Sequence, residues 1–310
     1  MEIVNSIERL PGHLRGGAVC LGKFDGMHLG HSRILTRVKE HAVQRNVPSL
    51  VLTFDPPPTT LLRPSPVQPL CTLQRKIELL ADFELDGLVV IPTTLDFLHQ
   101  SAEAFFFGTL VDKLRATVVV AGENFFFGHR RDGSAETMRR FGEKAGIDVD
   151  PVESVRIDRR IVSSSEIRRL LSTDDIRRVN AMLTKPYRLS GVVVHGEHRG
   201  RTLGFPTANL GETQTIIPKP GIYVTKARWE DGEFPAATHI GPNPTFDETV
   251  PKIEVFLLDF SGDLYGKTLH VDFLDYLRNP VRFENVERLL QQMELDVKHV
   301  RAFAGTYGLS

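Results

Sequence analysis

The chain's 310 residues are 41% hydrophobic and 25% charged, the make-up of a globular protein long enough for about two domains. Lys and Arg total 38 against 39 Asp and Glu, so no global field draws in nucleic acid or an anionic membrane, and any phosphate site has to be local. Two cysteines, Cys20 and Cys71, show no metal-ligand spacing and point to a reducing cytoplasm.

Met1 to Arg15 carries Glu2, Glu8, Arg9 and Pro11 where a leader needs an apolar core, and no apolar run nears the ~20 residues of a membrane span. A soluble protein is expected. Ala18 to Leu21 reads as a strand, followed by a glycine-bearing loop and a helix from about His31 to Arg45. Ser49 to Phe54 is a strand that stops at consecutive prolines. Leu73 to Phe83 is a helix, Leu88 to Ile91 a strand, Ala102 to Leu114 a helix and Thr117 to Ala121 a strand. Alternating strands and helices predict a parallel α/β sheet, with ligands beyond the carboxyl ends of its strands. Helices are expected over Ser164 to Leu171 and Asp174 to Met182. The rhythm then changes near Leu183 to Pro186. Strands follow at Tyr187–Val194, Ile222–Ala227, Ala236–Ile240, Ile253–Leu258 and Leu269–Leu274, and Val286 to Phe303 closes as a helix. That half predicts a small β-barrel.

The first strand runs into Gly22-Lys23-Phe24-Asp25-Gly26-Met27-His28-Leu29-Gly30-His31. Glycines admit a phosphate chain close to the backbone, and a helix N-terminus favours an anion. His28 and His31 flank Gly30 there and can hydrogen-bond a phosphoryl group as charge develops. The segment resembles the H-x-G-H nucleotidyltransferases, and more narrowly the bacterial bifunctional FAD synthetases. Three more segments match in order: Thr53-Phe54-Asp55-Pro56, Gly122 to Gly128, and Val162 to Arg168. The resemblance implies that Gly22, Phe24, Asp25, Gly30, Asn124, Ser163, Ser164 and Arg168 surround ATP, with Asp55 and Asn124 toward FMN. Phe125 to Phe127 is expected in the core. Pro57 stands where the family carries histidine, and Ile161 where it often carries a basic residue.

Gly196, Gly200 and Gly204 lead to Phe205-Pro206-Thr207-Ala208-Asn209, with His198, Arg199 and Arg201 in a loop able to cover phosphates. No Walker A sequence occurs. Thr207 and Asn209 are hard oxygen donors two residues apart, on one face of extended backbone, and suit Mg²⁺. Leu203 to Leu210 resembles the riboflavin kinase signature, as do Pro220 to Tyr223 and Ile240 to Phe246, although His239 stands where asparagine is usual. Taken alone, Glu254 reads as a rim carboxylate on an exposed sheet face. The resemblance makes it the general base for the ribityl 5′-hydroxyl and puts Arg278 at the flavin.

Five Arg-Arg doublets, at 130–131, 139–140, 159–160, 168–169 and 177–178, alternate with acids and read as solvated helix faces. The whole predicts an α/β plus β protein. A Rossmann-like nucleotidyltransferase domain over residues 1–183 precedes a β-barrel kinase domain with a C-terminal helix over 186–310. Its expected ligands are riboflavin, FMN, FAD, ATP and ADP with Mg²⁺, and neither nucleic acid nor membrane. A kinase alone, beside a weakened nucleotide-binding domain, is the alternative.

Overall fold

The computed structural model describes residues 1–62, 67–197, 200, 203–230, 232–242, 245 and 250–307. Contacts divide the chain into two compact units, Met1–Val67 with Thr72–Ser163, and Gln68–Cys71 with Ser164–Ser310.

The first unit is built on a six-stranded parallel sheet. Its strands are β1 (Glu2–Val4), β2 (Ala18–Leu21), β3 (Ser49–Asp55), β4 (Gly87–Pro92), β5 (Val118–Gly122) and β6 (Asp148–Val152), in the order β1-β4-β3-β2-β5-β6. The two-residue side-chain period splits each central strand between two cores. Val19, Leu21, Leu50 and Leu52 enter one, while Ala18, Cys20 and Val51 enter the other. Two helices are short, α2 (Pro58–Leu62) and α4 (Leu95–Leu98). Helices α1 (Leu29–Arg45) and α3 (Leu73–Ala81) cover the second face with Leu35, Val38, Leu79 and Leu80. Helices α5 (Ala102–Phe105) and α6 (Ala135–Ala145) supply Phe105, Met138 and Phe141 to the first. The helix expected over 102–114 is a single turn of α that continues as a π-helix over Phe106–Lys113. A small antiparallel hairpin, β7 (Arg156–Ile157) with β8 (Arg160–Ile161), stands apart from the main sheet.

Strand order runs outward from β2 through β3 to β4, then resumes on the other side of β2 with β5. The crevice between the carboxyl ends of β2 and β5 is therefore a topological switch point. The loops that leave it are Gly22 to His28 and Gly122 to Gly128.

The second unit opens with α7 (Ser164–Leu171) and α8 (Ile176–Met182). Strands β9 (Tyr187–Val194), β10 (Ala208–Leu210), β11 (Gly221–Trp229), β12 (Gly232–Gly241), β13 (Lys252–Leu257) and β14 (Thr268–Arg278) close a barrel in the order β10-β13-β12-β11-β14-β9. All its pairings are antiparallel. Along β13, Ile253, Val255 and Leu257 are buried while Glu254 and Phe256 on the other face are half-buried. Helix α9 (Val286–Tyr307) packs Val300 against Val224 and Leu258, with Val297 and Phe303 alongside. Arg188 on β9 forks onto Asp272 on β14 at 2.6 and 2.9 Å, both side chains buried.

Sequence rhythm places the change of architecture near residue 183, whereas contacts divide the chain after Ser163. Helix α8 is tied to the barrel. Asn180 donates to the Phe273 carbonyl at 2.7 Å and accepts the Tyr187 amide at 2.9 Å, and Arg177 forks onto Asp275.

Candidate functional site

At the switch point, the chain leaves β2 through Gly22. A Cβ there would lie 2.9 Å from the Phe24 ring, so glycine admits the close return of that residue. Phe24 is fully buried, with its ring 5.2 Å from that of His31. Its ring therefore supports the loop from below and has no exposed face for a ligand. Asp25 is buried as well.

His28 is the N-cap of α1, which begins at Leu29, two residues ahead of its expected start. Its Nδ1 accepts the His31 amide at 3.3 Å, while the His31 Nδ1 accepts the His28 amide at 3.4 Å. This is a capping box made by two imidazoles in place of a hydroxyl and a carboxylate. The rings stack at 3.6 Å with a 15° interplanar angle. Gly30 leaves room for the stack, since a Cβ there would lie 3.1 Å from the His28 ring. Each Nδ1 accepts an N–H, so a neutral ring carries its proton on Nε2. Burial pushes the His28 pKa down to about 4. His31 is driven well below 6.5 by burial, by His28 and by the Lys76 ammonium. Both histidines therefore stand as neutral Nε2–H donors at neutral pH. The His31 amide, expected to be open to an anion, is already occupied by its partner.

Lys76 belongs to none of the sequence motifs. It lies on the apolar stripe of α3, is 4% exposed, and donates to Thr53 Oγ1 at 3.3 Å. A lysine aligned with Leu73 and Leu80 at helical spacing is the one signal of it in the sequence.

The second switch-point loop carries Asn124, whose amide donates to Ser154 Oγ at 3.2 Å, leaving its Oδ1 as an acceptor. Phe127 is in the core, Phe125 packs against it, and the two rings stack at 6.0 Å. Phe126 departs from the expected burial: it is 45% exposed, and Arg131 lies 4.1 Å from its ring centroid. Two Arg doublets are likewise not helical faces. Arg130 and Arg131 have positive φ in a loop after Gly128, and Arg159 and Arg160 belong to the turn and second strand of the β7–β8 hairpin. Asp55 is exposed at the end of β3. Contacts assign Ser163 to the first unit and Ser164 with Arg168 to the second, where Arg168 Nε donates to the Gln68 carbonyl at 3.0 Å.

In the barrel, a cavity of about 590 Å³ is lined by Gly200, Phe205, Thr207, Asn209 and Glu254 among others. Asn209 lies directly opposite Glu254 across β10 and β13. Two glycines let this segment pack closely: Gly196 makes room for the Asn209 amide, and Gly200 for the Phe205 carbonyl, 2.3 Å from where a Gly200 Cβ would be. A Cβ at Gly196 would sit 2.3 Å from Asn209 Nδ2, and one at Gly200 would sit 3.4 Å from Thr207 Oγ1. Gly204 has φ +84, the left-handed region that glycine enters freely, and the Phe205 amide donates to the Gly200 carbonyl at 2.8 Å. A second cavity of about 120 Å³ shares Phe205, Thr207, Glu254, Leu289 and Met293 with the first and adds Arg278 and Phe283. Arg278 is held by Asp296 of α9 through its Nε at 3.0 Å and Nη2 at 2.7 Å. Nothing in the sequence pattern marks Asp296 as that partner. His198, Arg199, Arg201, Asn243, Pro244 and Phe246 lie outside the described residues.

Two family models divide the chain: FAD synthetase over residues 11–166 and riboflavin kinase over residues 183–304. The fold accords with both, a parallel α/β sheet followed by a closed barrel with a terminal helix. By class it is a two-part transferase. The chain belongs to the bifunctional riboflavin kinase/FMN adenylyltransferase family. A relative of that name from Haemophilus influenzae is 33% identical over 98% of this chain and 99% of its own length. Relatives of the same name from Listeria monocytogenes and Escherichia coli are 34% and 30% identical, covering 92% and 98% of the chain and 91% and 98% of their own. A crystal structure from Streptococcus pneumoniae titled macrolide-efflux protein superposes with a TM-score of 0.86 at 28% identity, over 96% of this chain and 98% of that one. No helix among the described residues is long and apolar enough to cross a membrane.

Proposed function

We propose that this chain converts riboflavin to FMN in its barrel and FMN to FAD in its α/β unit, using ATP for both steps. The observation that carries the reading is one cavity lined by Thr207, Asn209 and Glu254 together, with Asn209 and Glu254 paired across neighbouring strands.

In the first step the ribityl 5′-oxygen attacks the γ-phosphorus of ATP. Its O–P bond forms as the bond to the β-phosphate oxygen breaks, and ADP leaves. Glu254 takes the hydroxyl proton as general base. Phosphoryl transfer otherwise depends on positioning and charge neutralisation. Thr207 and Asn209 would hold Mg²⁺: a hydroxyl and an amide oxygen are hard donors, and both line the cavity that Glu254 also lines. The metal, when bound, supplies charge neutralisation for the phosphates. The larger cavity suits the nucleotide, with Gly200 and Gly204 in the loop that covers it. The smaller one, with Arg278, suits the flavin edge.

In the second step an oxygen of the FMN phosphate attacks the α-phosphorus of ATP and pyrophosphate leaves. His28 and His31, neutral and protonated at Nε2, donate hydrogen bonds to the phosphoryl oxygens as charge builds. Gly22 and Gly30 make room for the Phe24 and His28 rings that shape this loop, and Asn124 Oδ1 with Asp55 offers acceptors toward the flavin. Cys20 and Cys71 are buried and not joined in a disulfide, which accords with a reducing cytoplasm.

Pro57 and Ile161, the two departures from the adenylyltransferase pattern, favour a kinase-only reading as the alternative. One assay decides. The pure protein is incubated with riboflavin, ATP and Mg²⁺ and the flavins are separated by chromatography. FAD is the expected product; FMN alone would support the alternative, and unchanged riboflavin would defeat both.

A further inference from the structure

Strand register places five residues in one row across the barrel. Asn209 pairs with Glu254, Glu254 with His239, His239 with Ile222, and Ile222 with Arg278. Directly opposed residues in antiparallel strands point to the same face, with Cβ atoms roughly 5 Å apart. His239 is therefore a built neighbour of Glu254. Its Nδ1 lies 3.3 Å from Glu254 Oε2, and the two side chains are 16% and 22% exposed. Both line the smaller cavity, beside Arg278.

A glutamate side chain has three rotatable bonds, and a base is effective only when its free oxygen is held within reach of the proton it takes. An imidazole fixed on the adjacent strand removes that freedom. We infer that His239 is a positioning residue for the kinase step: its Nδ1–H donates to Glu254 Oε2 and leaves Oε1 to receive the 5′-hydroxyl proton. This rests on Glu254 being the base. An asparagine amide is also an N–H donor without a charge, so His239→Asn separates donation from charge at this position. His239 touches no reacting atom; it acts through Glu254.

The test is steady-state FMN formation by the full chain with His239→Leu, His239→Ala and His239→Asn, alone and combined with Glu254→Gln. Conversion of supplied FMN to FAD and the emission of Trp229 report that each variant is folded. His239→Leu and His239→Ala should lower kcat for FMN about 10-fold or more, with the riboflavin KM within about two-fold. His239→Asn should recover most of the loss. On the Glu254→Gln background, removing the imidazole should cost nothing further, because the group it positions is gone. A folded His239→Ala protein with the kcat of the parent, or a loss that multiplies with that of Glu254→Gln, would overturn the inference while leaving the kinase reading intact. A parent protein that forms no FMN would sink the kinase reading itself.

Discussion

His28 and His31 cap one helix against each other, each ring accepting the other's backbone amide. The arrangement settles two chemical questions at once. It selects the Nε2–H tautomer of both rings, and it keeps both rings dry enough to stay uncharged at neutral pH. In the proposed adenylyl transfer, a pair of neutral donors can hydrogen-bond phosphoryl oxygens without adding two more fixed positive charges to hold pyrophosphate.

The same cap makes stability depend on pH. Both histidines have folded pKa values below the ordinary 6.5, with His28 at about 4. As pH falls from about 6.5 toward 4, the unfolded chain takes up protons that the folded cap refuses, so stability is complete above that window and drains away within it. Thermal unfolding followed by circular dichroism should show the midpoint of the first unit falling several degrees between about pH 7 and pH 5. His28→Asn, which keeps an N-cap acceptor but cannot titrate, should flatten that fall.

His28→Asn should also lower FAD formation from FMN about 100-fold or more, the usual cost of removing one oxyanion donor. FMN formation from riboflavin should be unchanged. Parallel assays of the two half-reactions provide the check.

Glu254→Gln should lower FMN formation by about 10²-fold to 10⁴-fold, the range expected for a general base. It should leave adenylylation of supplied FMN intact. Equal loss of both activities would show that the two reactions do not have separate sites.

Gly196→Ala places a methyl group 2.3 Å from Asn209 Nδ2 and forces that side chain to move. The Mg²⁺ concentration for half-maximal FMN formation should rise about 10-fold, roughly 1.4 kcal/mol of lost metal affinity. A metal titration of the kinase half-reaction measures it directly.

Asp296 is 5% exposed and receives the Arg278 guanidinium at three contacts of 3.2 Å or less. Asp296→Asn removes the charge from that pair and should cost about 2 kcal/mol of barrel stability. Trp229 is the chain's single tryptophan and lies on β11. Urea unfolding read by its emission therefore reports on the barrel unit alone. The riboflavin KM should rise in the same variant, because Arg278 loses its anchor.

Legibility follows local strength of pattern. Tyr187–Val194 and Ser164–Leu171 have the bounds that the sequence indicates, because apolar spacing and flanking Pro or Ser are unambiguous there. Strand β6 escapes a reading of the sequence: Asp148, Asp150 and Pro151 make it polar and interrupted, which only an edge strand tolerates. Strand β10 is hidden in the Phe205 to Asn209 signature, being three residues long and defined by its neighbours on both sides. Helix α8 looks like part of the first half because its attachment to the barrel depends on Asn180 and Arg177, polar side chains with partners some 90 residues away. Among the candidate site residues, Thr207, Asn209, Glu254, His28 and His31 are marked by motif. Lys76, Asp296 and the pairing of His239 with Glu254 are not, since each depends on contacts between distant segments.

Helix α9 gives the barrel more than a cover. Leu289 and Met293 form part of the wall of both cavities, and Asp296 restrains Arg278. During synthesis a ribosome lays down this helix only after all six barrel strands. A nascent barrel can thus have its ring of strands complete while the wall that Leu289 and Met293 supply to both cavities is still missing.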